Sequence, residues 1–369
     1  MNSPLVSLSD LTAVEPQAVY LRPFTVLAPA GRATARVGAG FVGFNTVEIL
    51  VRKGGAIERA IAPVAEIQLW SRHQGREVAR HIDSLLDRIT RPREPFAGVS
   101  MDLPRIMGIL NITPDSFSDG GNYFAPEAAA RRALELVKGG AAFIDIGGES
   151  TRPGSDPVAP EEERRRVLPL IKVLHQLKPG AVLSIDTRKA PLMKDACAAG
   201  AQVVNDISAL THDPDALATV ARLGVPVVLM HCQGDPKTMQ DKPTYTHAPT
   251  EVFDYLSQRI LACEAAGIPR TRIAVDPGIG FGKGLEHNMA ILADLALFHG
   301  LGCPVLVGVS RKSFIWHLAG IEEPKARMPG SLAAMLWAVG QGVQILRVHD
   351  VEETAQALAV WQGAARAEG

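Results

Sequence analysis

The chain is poor in cysteine, and its four thiols, Cys197, Cys232, Cys263 and Cys303, are scattered through 369 residues without a CxxC pair. A zinc knuckle and a disulfide framework are thereby excluded, and the usage suits a reducing cytoplasm. No uninterrupted apolar run approaches the ~20 residues that cross a bilayer. The opening stretch, MNSPLVSLSD, lacks the basic and apolar regions of a signal peptide. Charge of one sign is missing as well: the net charge is −1, so no broad field awaits nucleic acid or anionic lipid. The densest charged string, Glu161 to Arg166, sets three acids before three bases. It reads as a solvated helix face with pairs at i,i+3 and i,i+4. A globular protein of the cytoplasm is expected.

What the chain does have is a rhythm. Eight short apolar runs each end in polar residues. Run 106–110 ends at Asn111, 143–144 at Asp145, 182–185 at Asp186 and 202–204 at Asn205. Run 226–230 ends at His231, 272–275 at Asp276, 304–309 at Ser310-Arg311-Lys312 and 343–346 at Arg347-Val348-His349. Runs apolar on both faces are the strands of a covered parallel sheet. Helical segments fall between them at 126–138, 160–177, 190–199, 214–223, 249–266, 285–298, 328–341 and 351–362. Several open on Pro in the first turn, and Gly139, Gly200, Gly224 and Gly267 stand where left-handed caps are needed.

The expected fold is therefore α/β: a (β/α)8 TIM barrel over 103–369 with a small N-terminal α+β appendage over 1–100. An open doubly wound sheet would show a GxGxxG turn after its first strand, and Gly108-Ile109-Leu110-Asn111 is not one. In the appendage, 41–52 and 60–70 predict strands about a turn at Gly54-Gly55. Segment 77–89 predicts a helix stopped ahead of Pro92, with 91–96 as linker. Three strand-to-helix connections are long, 111–125, 147–159 and 231–248. Long loops in a compact barrel are commonly functional lids, and these lie on the face where the polar strand ends converge.

Asp186 and Asp276 end apolar strands, a costly place for a carboxylate without a partner. No Lys or Arg offers itself from the sequence as a strand-end partner for both. With the amide of Asn205, they suit a flat heterocycle presenting N–H donors and a carbonyl, such as a pterin or guanine. The plain alternative is that each Asp only caps its own strand–loop junction. Lys312 follows the seventh strand at a helix start, with Ser310 as its expected N-cap. Arg347 and His349 alternate on the last strand and so share a side. Lys312, Arg347 and His349 together suit a phosphate or diphosphate, whereas Arg311 reads as solvated. Asn111 could supply the single oxygen that Mg²⁺ takes beside a diphosphate. Thr151 and Arg152 sit in the loop GGESTRPG; Cys232 reads as a bystander.

The chain resembles the dihydropteroate synthase family of the folate pathway. The resemblance rests on MGILNITPDSFSDGG, IDIGGESTRPG, SIDTRK, VVNDISAL, MHCQGDPKTMQ, VDPGIGFGK, GVSRKSFI and RVHDV, in family order from residue 107 to 351. It implies a transferase that condenses a dihydropterin methyl diphosphate with 4-aminobenzoate, releasing diphosphate. It implies further that Asp186, Asn205, Asp276 and Lys312 hold the pterin and that Asn111 ligates Mg²⁺. Arg347, Val348 and His349 would border the diphosphate, with Arg347 also packing on the pterin. Thr151 would reach the diphosphate ester or the pterin, while Arg152 and Phe117 would complete the aminobenzoate site. Lys312, Arg347 and His349 would carry the catalytic charge. The resemblance also implies a homodimer, for which the apolar helix 328–341, with Met335, Leu336 and Trp337, is the candidate face.

Two other functions share much of this pattern. A methyltransferase barrel that passes a methyl group from a methyl-tetrahydropterin to a corrinoid needs the carboxylates but no diphosphate site. A non-catalytic pterin-binding paralogue would dock a partner on the appendage, yet every expected ligand position is filled here.

Overall fold

The computed structural model describes residues 5–12, 15–27, 35–112, 126–150, 158–234 and 237–367. In chain order the appendage supplies β1 (Val19–Pro23), β2 (Val26–Leu27), β3 (Ala35–Arg36), β4 (Val42–Phe44), β5 (Thr46–Lys53), β6 (Ala56–Pro63), α1 (Val64–His73) and α2 (Arg76–Thr90). β1, β5 and β6 form one antiparallel sheet and β2, β4 and β3 another. The run 41–52 is thus two strands in different sheets, parted at Asn45. The strand expected over 60–70 is also corrected: it stops at Pro63, and α1 follows. The proline has the fixed φ of a helix start. Beyond it Ile67, Trp70 and Ser71 are buried at helical spacing, with the Trp70 indole donating to the Leu11 carbonyl at 2.9 Å.

The rest of the chain alternates. It runs β7 (Arg105–Asn111), α3 (Pro126–Lys138), β8 (Ala141–Gly147), α4 (Pro160–Leu177), β9 (Val182–Asp186), α5 (Ala190–Ala199), β10 (Val203–Asp206) and α6 (Ala216–Leu223). It continues with β11 (Val227–Met230), α7 (Ala248–Ala265), β12 (Ile273–Asp276), α8 (Leu285–Ala293), β13 (Leu306–Val307), α9 (Ser313–Ala319), α10 (Met328–Gly340), β14 (Ile345–Val348) and α11 (Val351–Ala367). The eight strands are parallel neighbours in the order β12-β11-β10-β9-β8-β7-β14-β13. A parallel bridge from Val275 to Val305, with the Val275 N–H on the Pro304 carbonyl at 2.9 Å, joins the ends. The sheet is a closed (β/α)8 barrel, as expected.

Alternation along the strands sorts the core into two layers. Met107, Phe143, Val182, Val203, Val228, Ala274, Leu306 and Ile345, one from each strand, fill the barrel interior. Their neighbours, such as Ile106, Ile144, Leu183 and Leu346, pack outward against the helices. Phe96 and Met101 belong to the inner group. The linker ends in a tight antiparallel pairing of Phe96 with Val99 and plugs the barrel at the strands' amino ends.

Two local departures have physical causes. The helix expected over 285–298 ends at Ala293 and passes into 3-10 turns over Leu295–Leu301. The carboxylate of the intervening Asp294 is drawn to Arg22 and Arg59 of the appendage at 3.4 and 3.5 Å. Helix α9 begins beside Lys312, where a helix start was expected, but no span was assigned to it, because its seven residues show hardly two turns of pattern.

Candidate active site

Strand register builds the site. Asn111 pairs with Gly147, Gly147 with Asp186, and Asp186 with Asn205, so one row crosses β7 to β10 at their carboxyl ends. All four positions alternate with helix-facing residues and point into the mouth. Gly147 keeps the row open: a Cβ there would stand 3.2 Å from Asn111 Oδ1 and 3.7 Å from Asp186 Cβ. Below it a second row pairs Ile109 with Asp145 and Asp145 with Ser184.

Asp145 was read only as a strand end, and the structure makes it the hub of the site. It is fully buried and accepts hydrogen bonds from Ser184 Oγ at 2.7 Å, Asn205 Nδ2 at 3.0 Å and Arg347 Nε at 2.6 Å. A carboxylate only accepts, so Asn205 turns its NH₂ to Asp145 and leaves its carbonyl oxygen for a ligand. Arg347 Nη2 also donates to Asp186 Oδ2 at 2.8 Å. The expectation that no cation offers itself as partner is therefore corrected for Asp186, while Asp276 forms no ion pair among the described residues. The expectation failed because Arg347 lies 161 and 202 positions from its partners. Burial raises the Asp186 pKa above the usual carboxylate range, with Arg347 opposing it. Burial works against the charge on Arg347 too, but Asp145 and Asp186 outweigh it and hold its pKa above the ordinary guanidinium value.

Asp276 ends β12, and its Oδ1 accepts the Gly278 N–H at 2.7 Å. Burial raises its pKa, opposed by that N–H and by Lys312. The capping alternative is thus realised for one oxygen of Asp276, while the other has no such bond among the described residues. The Lys312 ammonium lies 4.0 Å from the centroid of the Phe281 ring, a cation–π contact.

At the last strands, Ser310 is not an N-cap. Helix α9 starts at Ser313 with Lys312 as its flanking residue, and Ser310 Oγ instead lies 3.0 Å from His349 Nδ1. Arg311 is not merely solvated, since its guanidinium is paired with Asp350. On β14 the side chains of Ile345 and Arg347 turn inward, while Leu346 and Val348 join the helix-facing core. Val348 can therefore meet a ligand only through its backbone.

Phe117, Thr151 and Arg152 lie outside the described residues. The stems flanking 151–157 are anchored by Lys189, whose Nζ lies 3.1 Å from Glu149 Oε2, 2.7 Å from the Val158 carbonyl and 2.5 Å from Glu163 Oε2. Glu163 was read as part of a solvated face. The pairs Glu161–Arg164, Glu162–Arg165 and Glu162–Arg166 do form, but Glu163 is fully buried. Sequence reasoning also passed over Lys283, buried with His231 beneath the glycine-rich turn after β12.

Comparison with known proteins agrees with this architecture. The sequence profile described as pterin binding enzyme matches residues 107–349. Dihydropteroate synthase of Escherichia coli K12 is 47% identical over 265 residues, covering 71% of this chain and 93% of the relative. That of Neisseria meningitidis serogroup B is 47% identical over 270 residues, covering 72% and 94%. The solved Xanthomonas albilineans dihydropteroate synthase with 4-aminobenzoic acid superposes with a TM-score of 0.68 at 49% identity, covering 73% of this chain and 96% of that one. The same enzyme with 7,8-dihydropteroate gives 0.66 at 47%, covering 72% and 95%. On its fold, its polar rim and these identities, the chain belongs to the dihydropteroate synthase family of pterin-binding (β/α)8-barrel transferases.

Proposed function

We propose that this barrel joins (dihydropterin-6-yl)methyl diphosphate to 4-aminobenzoate, forming dihydropteroate and releasing diphosphate. One observation carries the reading at the residue level: Asn111, Asp186 and Asn205 share one row of the mouth that Arg347 also enters. Asp186, the carbonyl oxygen of Asn205 and the open oxygen of Asp276 would accept from the donor edge of the pterin. Lys312 would donate to its carbonyl or ring nitrogen. Arg347, drawn forward from Asp186, would share its guanidinium between the pterin face and the diphosphate. His349 and the Val348 backbone would meet the diphosphate, and Thr151, Arg152 and Phe117 would close over the aminobenzoate.

The chemistry needs no activated protein nucleophile. The C–O bond to the diphosphate breaks, the ring's conjugation spreads the resulting charge on the methylene, and the neutral aniline nitrogen forms the new C–N bond. The aniline proton then leaves to solvent or to the departing diphosphate. Preplaced cationic groups stabilise the developing negative charge on the diphosphate, and exclusion of water protects the methylene from hydrolysis.

The residues fit Mg²⁺. Among the described residues no cluster of His, Cys, Asp and Glu could enclose a metal ion, and nothing hydrogen-bonds the Asn111 amide. A single protein oxygen suits an ion that keeps most of its waters and takes the rest of its ligands from phosphate. Asn111 Oδ1 would hold Mg²⁺, which supplies charge neutralisation for the leaving group.

A homodimer would form through α8, α9 and α10, where Met289, Leu292, Phe314, Leu318 and Trp337 line an apolar groove. Of the residues expected there, Trp337 is 58% exposed whereas Met335 is buried in the core. No helix among the described residues is long and apolar enough to cross a membrane, and the four cysteines are free thiols. A cytoplasmic location fits both.

The deciding experiment is product formation. Folded protein with Mg²⁺ is expected to release diphosphate from the dihydropterin substrate only when 4-aminobenzoate is present. No release, or release independent of 4-aminobenzoate, overturns the reading.

A further inference from the structure

The sequence DPGIGFGK carries glycines at every second position, and the structure shows why. Gly278, Gly280 and Gly282 have φ of +70°, +81° and +59°, a region that side chains other than glycine rarely enter. A Cβ would stand 1.9 Å from the His231 carbonyl oxygen at Gly278 and 2.3 Å from the Gln233 carbonyl oxygen at Gly282. This turn is therefore pressed against the start of the loop after β11. Beneath it lies Lys283, 2% exposed and in no ion pair with a carboxylate among the described residues. Its Nζ lies 3.0 Å from the Gly278 carbonyl, 2.9 Å from the Phe281 carbonyl, 3.3 Å from the His231 carbonyl and 2.8 Å from His231 Nδ1. Burying an amine is costly, and burial pushes its pKa down to about 7.

The two glycine-turn residues that Lys283 holds are the two that reach the pterin groups. Gly278 gives its N–H to Asp276 Oδ1 at 2.7 Å. Phe281 lays its ring under the Lys312 ammonium at 4.0 Å. We infer that Lys283, braced by His231, is a positioning residue that sets the Asp276 carboxylate and the Lys312 ammonium at the spacing the pterin ring requires. Lys283 touches no substrate. It gathers the turn's inward carbonyls on one donor, and loss of that donor leaves buried acceptors that pull the turn apart. The inference rests on the pterin reading of the site and deepens it. Two further bonds hold the same turn from the loop after β11: Gln240 Nε2 to the Gly280 carbonyl at 2.9 Å and Tyr245 OH to the Gly282 carbonyl at 2.8 Å.

The test compares KM for the two substrates in Lys283→Met and Gln240→Leu, and titrates 6-hydroxymethylpterin alone by calorimetry. Lys283→Met is expected to raise the pterin KM and Kd at least about tenfold, a loss of about 1.4 kcal/mol. The aminobenzoate KM should stay within about twofold. Gln240→Leu, on a half-exposed loop, should shift the same constants less and in the same direction. Folded Lys283→Met with unaltered pterin binding, or with both KM values raised together, overturns the assignment. Should Lys283→Met not fold, Gln240→Leu and Tyr245→Phe decide, and unchanged pterin binding in both overturns it. Failure of the unmodified protein to bind the pterin would sink the functional reading itself, and the role of Lys283 with it, whereas a change confined to the variants bears on Lys283 alone.

Discussion

Arg347 Nη2 donates to Asp186 Oδ2 at 2.8 Å across 161 positions of sequence, joining the last strand of the barrel to the third. The same guanidinium gives Nε to Asp145 at 2.6 Å. One cation thus pairs with two buried carboxylates in the floor of the mouth. Three charges converge where a ligand would otherwise have to supply the compensation.

Removing that cation leaves two buried acids facing each other. Arg347→Met is expected to lower stability by about 3–5 kcal/mol, the range for breaking a buried pair from one side, as read by urea unfolding at neutral pH. The pH dependence gives the sign. Asp186 already has a raised folded pKa, and the variant raises it further, so the folded state binds the proton more tightly than the unfolded chain. Stability is then fullest below the unfolded value near 4 and lost as pH rises through the folded one. Acid should therefore partly restore the variant. Equal loss at pH 5 and pH 8 would contradict the account.

Asn111 makes the opposite case, because its amide has no hydrogen-bond partner among the described residues. Asn111→Ala should change the unfolding free energy by no more than about 0.5 kcal/mol, as for a side chain outside any network. It should lower turnover at low Mg²⁺, with recovery at high Mg²⁺. A loss of turnover that no Mg²⁺ concentration relieves would remove its proposed role.

How much of this was legible beforehand depends on the distance over which each signal acts. The strands were legible because a buried parallel strand declares itself within five or six residues, and the polar residue after it marks the rim. Proline and glycine marked helix ends for the same local reason. The partner of Asp186 was not legible, since only closure of the barrel brings Arg347 to it. Glu163 illustrates the same limit: its i,i+3 neighbours advertise a solvated face, while its actual partner, Lys189, comes from the next strand–helix unit. Trp70 was placed in a strand because Ala60 to Ala62 are extended, and only Pro63 marks where the pattern changes. Lys283 carried a usable signal, a lysine after three alternating glycines, but without the turn's geometry it read as part of a family motif.

Lys189 gives a third prediction. It is the cation for Glu163, which is fully buried, and the donor to the Val158 carbonyl. Lys189→Met should cost about 3–5 kcal/mol, because Glu163 is left without its partner. Lys189→Met with Glu163→Leu should recover much of that loss, since an apolar pair replaces a buried ionic one at little net cost. A double variant no more stable than the single one would show that Lys189 acts through the Val158 stem instead. Denaturant unfolding of the three proteins separates the two.

The seam between appendage and barrel should weaken in acid. His299 lies wholly buried in the barrel's 3-10 turns, its Nε2 2.9 Å from the Gln341 carbonyl, while its own carbonyl accepts from Arg93 of the linker at 3.2 Å. Burial, reinforced by the Arg93 charge, pushes its pKa down to about 3. His247, which faces Arg59 of the appendage at 2.8 Å, is likewise pushed down by burial, to about 4. Both histidines are neutral in the folded protein and take up a proton near pH 6.5 when unfolded. Their stabilising contribution is therefore present above pH 6.5 and lost as pH falls toward the folded values. At pH 5 His299 alone should have withdrawn about 2 kcal/mol. Thermal unfolding from pH 7.5 to pH 4.5 is expected to show a falling Tm, and His299→Gln, which keeps a donor for the Gln341 carbonyl, should flatten the slope. If His299→Gln tracks the unmodified protein across that range, His299 does not control the seam and the slope belongs to other groups.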